Sequence, residues 1–582
     1  MKLKQIIALG LASTIVATSA FALTGCGGGE KFIKDGKTIN VRICKQGWGD
    51  AYFTAWASAF ESMYSEEGYK INVVESSTSV EAQYVSNELE LGDKNGVDLY
   101  LAGQCNTARV VKSSIDSGFA VAADLTTDVL NKPAQYFDEE QGIIVEESNT
   151  ILSKLKPGFA DQVLMNAIAG QPEAAYNGKW YTMPIASTTN SLIVNTKLFD
   201  AAGEEIPLTT NDLLALFNKY TDGKEITLNS KKTTVYPTVW AGQNAYNYWL
   251  SCNDLWYAQY AGESGWYNFL NFDNIEITGE ETFGANAKND ILALYDKNQN
   301  IGLYSAISTM QTMLNVKNAV PGSLDKNHTA AQHSFLNDQA FVMANGAWLQ
   351  NEMGGSYEAQ ARNLKMIKMP INSALGVKLG LDGVNGTNTD LCEVVLKKII
   401  QGVDAGQSNA EIIQTVKTAT NVQLTTEKVQ AVRDARNLYY ETGASSQIIV
   451  NAFSDAYDIV VKFVRFIYSD VGINMLYTFA TCESAFNPID PDAIDRTGAS
   501  SFVQSISAIS RQADARGIHT FARPGSKRNL TTVGTYNNRK YGGVDWILAM
   551  GTQSANPSGG FTASQLLDEE LSRVKEILGI NG

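Results

Sequence analysis

Indole rings flanked by amide and carboxylate side chains are the residues of this sequence whose types and spacing best suit a defined chemistry. Trp48 lies between Gly47 and Gly49, with Gln46 and Asp50 just outside them. Two glycines let the backbone turn sharply, so we expect the Trp48 ring to face outward. A sugar packs its C–H groups on an aromatic face, while its hydroxyls need fixed donors and acceptors. The alternative is a tryptophan that simply covers the core.

Further polar side chains, in two cases together with aromatic residues, occur at 103–106, 187–190, 235–267 and 345–348. Two amides follow a predicted strand near residue 101, and hydroxyls and an amide form the run 187–190. Aromatic residues alternate with asparagines across 235–267, where we expect most rings to pack in the core and one or two to face a ligand. The predicted ligand-binding residues are Gln46, Trp48, Asp50, Gln104, Asn106, Ser187, Thr188, Asn244, Tyr246, Trp249, Asn345 and Trp348.

The sequence lacks the residue patterns of a helical zinc site, a serine nucleophile and a redox-active cysteine pair. Of the three histidines, His328 and His333 are five apart, which does not match the four-residue spacing of a helical zinc site. No Gly-x-Ser-x-Gly nucleophile motif and no Cys-x-x-Cys pair occur. We therefore predict no metal, no cofactor and no enzymatic activity. A glycoside hydrolase remains the alternative, because two carboxylates about 5 to 10 Å apart cannot be recognised from sequence.

Alternating strands and helices must position the first candidate residues. Residues 39–43, 71–73 and 97–101 have the pattern of strands, and apolar residues recur at helical spacing between the first two. This β-α-β-α-β order favours a largely parallel sheet with helices on its faces. Ligands of such sheets bind outside the carboxyl ends of the strands, where the loops 46–50 and 103–106 would lie.

The segment 181–199 has a polar centre between two apolar halves. Pro184 favours extended backbone before it, and Leu192 to Val194 favour a strand after it. We interpret the polar run 187–190 as a hinge where the chain crosses between two lobes. An edge strand with a polar bend is the alternative.

The N-terminus has the pattern of a lipoprotein signal peptide. Lys2 and Lys4 precede the apolar residues 6–23, and Leu-Thr-Gly then precedes Cys26. We predict a signal peptide at 1–25, a lipid on Cys26 and a flexible tether at 26–37. An ordinary secretory signal or a membrane span is the alternative. Cleavage would change the formal charge from −15 to −17, which disfavours nucleic acid and anionic lipid surfaces.

Two stretches resemble the bacterial extracellular sugar-binding lipoproteins that serve carbohydrate ABC importers, the family that includes maltose-binding protein. The hinge and the residues after it match the family's crossing segment at Pro184, Leu192, Asn195, Leu198, Phe199, Ala202, Gly203, Pro207, Thr209 and Leu213. A later stretch matches at Phe335, Ala340, Met343, Gly346 and Trp348. In the family, the tryptophan at the position of Trp348 commonly stacks on a bound sugar ring.

The resemblance implies an α/β fold of two lobes, a type II-like periplasmic-binding-protein fold with three crossings. It places lobe one at 38–186 and 377–482, and lobe two at 190–370 and 487–582. Residues 385–445 depart from the family pattern. Their helical periodicity, with Val429, Val432, Ala435 and Tyr439 on one face, predicts a helical insertion on lobe one.

The resemblance also implies a function. We expect a monomeric, lipid-anchored protein on the extracellular face of the bacterial cytoplasmic membrane that binds a sugar, most readily an oligosaccharide. It would deliver this ligand to the permease subunits of an ABC importer and would contact the membrane only through its lipid. The alternatives are a cell-surface glycoside hydrolase and an adhesin that works without a transporter.

Overall fold

The computed structural model describes the chain from residue 32 onward, with gaps. The described residues are 32–77, 82–102, 120–156, 159, 179–243, 246–276, 285–358, 363–442, 446–480, 482–490, 500–512, 514–518, 528, 550–552, 554 and 561–580. No helix within these ranges has the length and apolarity needed to cross a membrane.

The described residues form the following elements. The strands are β1 (Thr38–Cys44), β2 (Lys70–Ser77), β3 (Leu99–Ala102), β4 (Pro133–Asp138), β5 (Ile143–Thr150), β6 (Met183–Ser187), β7 (Thr189–Asn195), β8 (Lys224–Leu228), β9 (Lys231–Thr238), β10 (Ala340–Gly346), β11 (Leu364–Met366), β12 (Leu438–Glu441), β13 (Ser446–Val450), β14 (Glu483–Ser484) and β15 (Arg516–Ile518). The α-helices are α1 (Ala51–Met63), α2 (Ala82–Leu89), α3 (Thr196–Ala202), α4 (Thr210–Lys219), α5 (Tyr246–Ala261), α6 (Glu263–Asn271), α7 (Ala285–Tyr295), α8 (Ile301–Met313), α9 (His328–Leu336), α10 (Leu349–Glu358, interrupted at Gly354), α11 (Ala374–Lys378), α12 (Thr389–Asp404), α13 (Asn409–Thr420), α14 (Thr426–Asn437), α15 (Tyr457–Ile467), α16 (Asp470–Phe479), α17 (Ser501–Ser510) and α18 (Ala563–Ile577).

The chain divides into two compact α/β units. Unit one contains the described residues up to Thr188 and those in 446–490, and unit two contains Thr189–Thr442 and the described residues from 500 onward. The chain therefore passes from one unit to the other three times. The first passage, between Thr188 and Thr189, falls inside the predicted hinge.

Unit one is built on a six-stranded sheet in the order β14-β6-β13-β3-β1-β2. β1 runs parallel to β2 and β3, as predicted from the β-α-β-α-β order, and the remaining neighbours pair antiparallel. The predicted periodicity of α1 is also confirmed, since Phe53, Trp56 and Phe60 are buried in the core. Trp56 Nε1 donates a hydrogen bond to Gly472 O at 2.8 Å, so helix α1 is tied to helix α16.

A buried cation joins three parts of unit one. Lys154 Nζ lies 2.7 Å from a Glu147 carboxylate oxygen, 2.8 Å from one of Asp470 and 2.8 Å from Tyr468 O. The lysine side chain is almost fully buried, and a buried charge is tolerated only when it is paired and hydrogen-bonded. These contacts therefore fix the β4–β5 hairpin against the start of α16.

Unit two is built on a seven-stranded sheet in the order β15-β12-β7-β10-β9-β8, with β11 paired to β7. β7 pairs antiparallel with β10 and β12, and β9 pairs parallel with β10. Helix α4 begins at Thr210 because Thr209 caps it by accepting a hydrogen bond from Asp212 N. The last helix of the described residues is α18.

The helical insertion belongs to unit two, so its predicted placement on lobe one is wrong. Helices α11 to α14 enclose their own apolar cluster, in which Val429, Val432 and Ala435 are buried as predicted. Arg436 donates to Asp404 and also to Met369 O at 3.0 Å, which fixes α14 to the chain just after β11. Sequence periodicity identified the helices, but only these long-range contacts decide which unit holds them.

Three further details differ from the predicted organisation. The second passage between units lies after Thr442 rather than near residue 377, and the third lies between residues 490 and 500 rather than near 487. Tyr439, predicted on the face of α14, lies instead in β12. That strand follows α14 directly and pairs with β7.

The loop between α11 and α12 has a rigid tip. The Asp382 carboxylate accepts hydrogen bonds from the backbone N–H groups of Val384, Gly386 and Asn388. These bonds favour the ionised carboxylate and lower the pKa of Asp382 to about 2. Val384, at the tip, has 78% of its surface exposed.

Candidate ligand-binding site

The strand ends of unit one form the first of two rims that carry polar side chains. The carboxyl ends of β1, β2 and β3 lie at one edge of the sheet, and β13 begins there because it runs antiparallel to β3. We call the side chains of Gln46, Asp50, Ser76, Ser187 and Gln447 at or beside this edge the unit-one rim.

Trp48 does not extend from this rim, so the prediction of an outward-facing ring is wrong. Its side chain is 4% exposed and belongs to the apolar core together with Tyr52 and Phe53. The turn is as tight as expected: Gly49 has φ +80° and its N–H donates to Gln46 O at 2.9 Å. The two glycines supply the bend, but the bend directs the indole onto the start of α1.

The polar neighbours of Trp48 are engaged within unit one. Asp50 accepts a hydrogen bond from Ser76 Oγ at 2.6 Å and lies 3.4 Å from Lys45 Nζ. Gln46 Nε2 lies 3.0 Å from Cys44 Sγ. Both side chains remain partly exposed, so each keeps acceptor capacity at the rim.

The other half of the unit-one rim is buried. Ser187 and Thr188 are at most 1% exposed, and Ser187 pairs in register with Glu483 of β14. Gln447 is 8% exposed and its Oε1 has no hydrogen-bond partner among the described residues. Buried polar atoms almost always have a hydrogen-bond partner. The partner of Gln447 Oε1 is therefore expected to be a ligand or a water molecule.

The second rim lies in unit two, where β10 ends and β7 begins. Asn190 is directly opposite Gly346 of β10 and Tyr440 of β12. We call the side chains of Thr189, Asn190, Trp240, Asn345 and Trp348 the unit-two rim.

Trp348 is the partly exposed aromatic residue of the unit-two rim. It precedes α10 and remains partly exposed. A Cβ built on Gly346 would overlap carbons of the Trp348 six-membered ring. The ring therefore lies directly against Gly346, which only glycine permits, and next to the position of Asn190 in the sheet.

Three buried atoms of the unit-two rim lack partners. Asn190 Oδ1, Thr189 Oγ1 and Trp240 Nε1 are buried and make no hydrogen bond with any described residue. Asn190 and Trp240 are 4% and 2% exposed. Two acceptor-capable oxygens and one indole donor are thus buried without partners at the end of one sheet. The sequence reasoning missed Asn190 as a site residue, although it closes the polar run of the hinge.

Asn345 has a different environment from the one predicted. It is fully buried, and its Oδ1 accepts a hydrogen bond from Gly346 N at 2.7 Å. Its Nδ2 lies 3.9 Å from Met343 Sδ. The amide therefore shapes the turn that positions Trp348.

One carboxyl group on helix α5 has an unusual environment. Asp254 is 9% exposed, and burial raises its pKa to about 7. A hydrogen bond from Asn253 Nδ2 at 3.2 Å and the charge of Arg528 oppose the rise only in part. Desolvation without a close cation disfavours the ionised carboxylate. Within the described ranges, no group of three His, Cys, Asp or Glu side chains could hold a metal ion.

The remaining predicted residues lie outside what the structure describes. Cys26, Gln104, Asn106 and Asn244 fall in undescribed segments. Tyr246 and Trp249 lie in α5, but their side chains are not described.

Solved structures share this architecture. A probable secreted solute-binding lipoprotein from Streptomyces coelicolor is 12% identical, with 94% of this chain and 100% of that chain covered and a TM-score of 0.52. The apo form of RafE from Streptococcus pneumoniae is 11% identical, with 94% and 100% covered and a TM-score of 0.50.

The chain has the solute-binding-protein fold. The predicted fold class, two α/β lobes, is thereby confirmed. No protein-family model matches the sequence, and no curated protein does. At these identities the likeness is one of fold, so the roles of individual residues in this solute-binding-protein fold follow from the geometry of the rims.

Proposed function

We propose that this protein captures a sugar or oligosaccharide outside the cell and delivers it to an ABC importer. The unit-two rim is the observation that carries the proposal. It combines a partly exposed indole ring on Gly346 with the unpaired buried atoms of Asn190 and Trp240. Sugar hydroxyls both donate and accept hydrogen bonds, so they can satisfy an amide oxygen and an indole N–H together.

The energetics of such a contact supply a large part of a micromolar affinity. Covering one face of the Trp348 ring, about 100 Å², stabilises the complex by roughly 2.5 kcal/mol at 25 cal/mol per Å². Each hydrogen bond to a previously unpaired buried atom adds about 1 kcal/mol or more. A micromolar complex needs about −8 kcal/mol, so one ring, several hydrogen bonds and further apolar contacts reach that range before ordering costs.

Delivery to an importer and anchoring by lipid rest on two further features. The fold is that of a solute-binding lipoprotein of known structure, and the sequence around Cys26 has the lipobox pattern. We propose a monomer on the extracellular face of the membrane, held by its lipid and recognised by the permease subunits when sugar is bound. A difference in affinity of the ligand for two conformations would supply that signal. Binding without turnover makes the protein a receptor and not an enzyme.

Calorimetry with a panel of mono- and oligosaccharides tests this proposal. We expect at least one sugar to bind, and Trp348→Ala to weaken that binding by about tenfold or more, about 1.4 kcal/mol. Phe137→Ala is the matched control, since it removes an exposed aromatic ring of the β4–β5 hairpin outside both rims.

Three results would contradict the proposal. If no sugar binds, the assigned rim is wrong. The same conclusion follows if Trp348→Ala and Phe137→Ala both bind the sugar as tightly as the wild type does. Release of shorter saccharides during incubation would instead identify a glycoside hydrolase.

A further inference from the structure

A polar pocket lies in unit two away from the rim residues. It has a volume of about 320 Å³ and forms where the ends of α4 and α8 meet the turn at Val316–Asn318. All of its lining side chains are uncharged amides or hydroxyls, namely Asn218, Thr221, Gln311, Thr312, Asn315 and Asn318. We call this cavity the amide pocket.

The base of the amide pocket is held by hydrogen bonds. Asn318 is 4% exposed, accepts a hydrogen bond from Thr221 Oγ1 at 2.8 Å and donates to Thr312 O at 2.9 Å. Gln311 Oε1 accepts from Ala563 N at 2.8 Å, and Asn315 Oδ1 accepts from Lys317 N at 3.0 Å. The acceptor atoms on the lining thus have structural roles that fix the side chains in place.

The same bonds occupy amide oxygens of the lining and leave its amide nitrogens available. Among the described residues, Gln311 Nε2 and Asn315 Nδ2 donate to no partner. The exposed amide of Asn218 has no hydrogen-bond partner within the described ranges. Three lining residues therefore have amide donors that no described protein group accepts.

The composition of the lining selects a class of ligand. An anion would be expected to meet a lysine or arginine, and a divalent cation would be expected to meet carboxylates, but none of the lining side chains is charged. Neutral amides and hydroxyls match neutral hydroxyl groups. The volume is at the lower end of the range of about 300–1,000 Å³ typical of ligand pockets.

We propose that the amide pocket is a second ligand site that binds a single sugar ring or a small polyol. It shares no residue with either rim. The proposal therefore holds or fails independently of sugar binding at Trp348.

Saturation-transfer difference NMR on the full chain tests the second site. The probes are D-glucose, D-galactose, N-acetyl-D-glucosamine and ribitol, measured in the wild type and in Trp348→Ala. We expect at least one probe to bind in the Trp348→Ala background. Adding Asn218→Ala and Gln311→Glu should weaken that binding about tenfold, because two donor groups are lost.

The variants are chosen so that folding is retained. Gln311→Glu keeps the acceptor for Ala563 N at the start of α18, where a negative charge is favourable. Asn218 is exposed at the end of α4. Gln414→Glu, the same chemical change on the exposed face of α13, is the matched control and should leave binding unchanged.

Two outcomes overturn the proposal. In the first, no probe binds once Trp348 is removed. In the second, binding persists unchanged after Asn218→Ala and Gln311→Glu. Melting curves from circular dichroism confirm that each variant is folded, so that a loss of binding is attributed to the pocket.

Discussion

Each unit places a tryptophan beside a glycine near the end of a strand, yet the two rings have opposite environments. Trp48 follows β1 and is buried against α1, whereas Trp348 follows β10, lies against Gly346 and stays partly exposed. In both segments of the sequence, a glycine lies within two residues of the tryptophan. The difference shows that glycines set how sharply the chain turns, while the helix that comes next decides which surface the ring covers.

Two buried sites, one in each unit, also differ in how they hold ionisable groups. In unit one, Lys154 is paired with two carboxylates. In unit two, Asp254 has only an amide neighbour and the charge of Arg528. The Lys154 cluster therefore pairs a buried cation with carboxylates, whereas Asp254 is a buried carboxyl group that prefers its proton near neutral pH.

Truncating the buried indole should have the largest effect. Trp48→Ala should lower the free energy of unfolding by about 3–5 kcal/mol, because a fully packed aromatic side chain is lost from the core. The partly exposed Trp348→Ala, measured in parallel by urea denaturation, should cost much less. Equal losses of stability would remove the distinction between the two rings.

Asp254→Asn should change how stability depends on pH. An ordinary aspartate has a pKa near 3.8, as in the unfolded chain, whereas the folded protein holds this proton up to about pH 7. Between these values the folded state binds the proton more tightly, so the free energy of unfolding falls as pH rises through this window. Each pKa unit corresponds to about 1.4 kcal/mol, so we expect a fall of roughly 2 kcal/mol or more.

Urea denaturation at about pH 5 and about pH 8 measures this slope. Asp254→Asn should flatten it relative to the wild type, while Asp290→Asn, at an exposed position of α7, should leave it unchanged. An identical slope in wild type and Asp254→Asn would show that Asp254 does not control it.

Gly346→Ala tests whether the position of the Trp348 ring matters for sugar binding. The new methyl group would overlap carbons of the Trp348 ring, so the ring must move. We expect sugar affinity to fall about as much as in Trp348→Ala, roughly tenfold, or about 1.4 kcal/mol. Gly203→Ala is unsuitable as a control because its φ of +66° adds strain. Gly265→Ala is unsuitable as well, because its new Cβ would lie 2.9 Å from the Cβ of Ala261, so Phe137→Ala again serves as the control. Unchanged sugar affinity in Gly346→Ala would show that binding does not depend on the position of the Trp348 ring.

Asn190→Leu should have the smallest effect. The substitution removes the unpaired amide oxygen and retains a side chain of similar size, so stability should change little. Sugar affinity should fall severalfold, about 1 kcal/mol, because one hydrogen bond to the ligand is lost. Calorimetry measures the sugar affinity of this variant, and urea denaturation of the same sample measures its stability. A loss of stability with full affinity would assign Asn190 a structural role.

Local sequence patterns predicted the positions of strands and helices well, but they predicted the burial and the contacts of individual side chains less well. The strands at 39–43 and 97–101, the buried face of α1 and the cap at Thr209 follow from periodicity and capping within a few residues. The hinge was predicted from Pro184 and the polar run after it. These features depend on neighbours along the chain, which a sequence displays directly.

Three features depend on contacts that a single sequence does not display. The insertion joins unit two through Arg436 and Met369, which are 67 residues apart. The burial of Trp48 depends on packing against α1. The unpaired oxygen of Asn190 is recognised only once its neighbours across β7, β10 and β12 are known.

The rigid tip at Val384 offers an attachment point for a reporter group. The four cysteines that the structure describes are buried, so a thiol introduced by Val384→Cys would be the favoured target of a maleimide dye or a gold cluster among them. Because Asp382 fixes the backbone on which it sits, such a label would mark the helical insertion with little positional spread. Electron microscopy of a complex that contains the labelled protein could then locate the helical insertion directly.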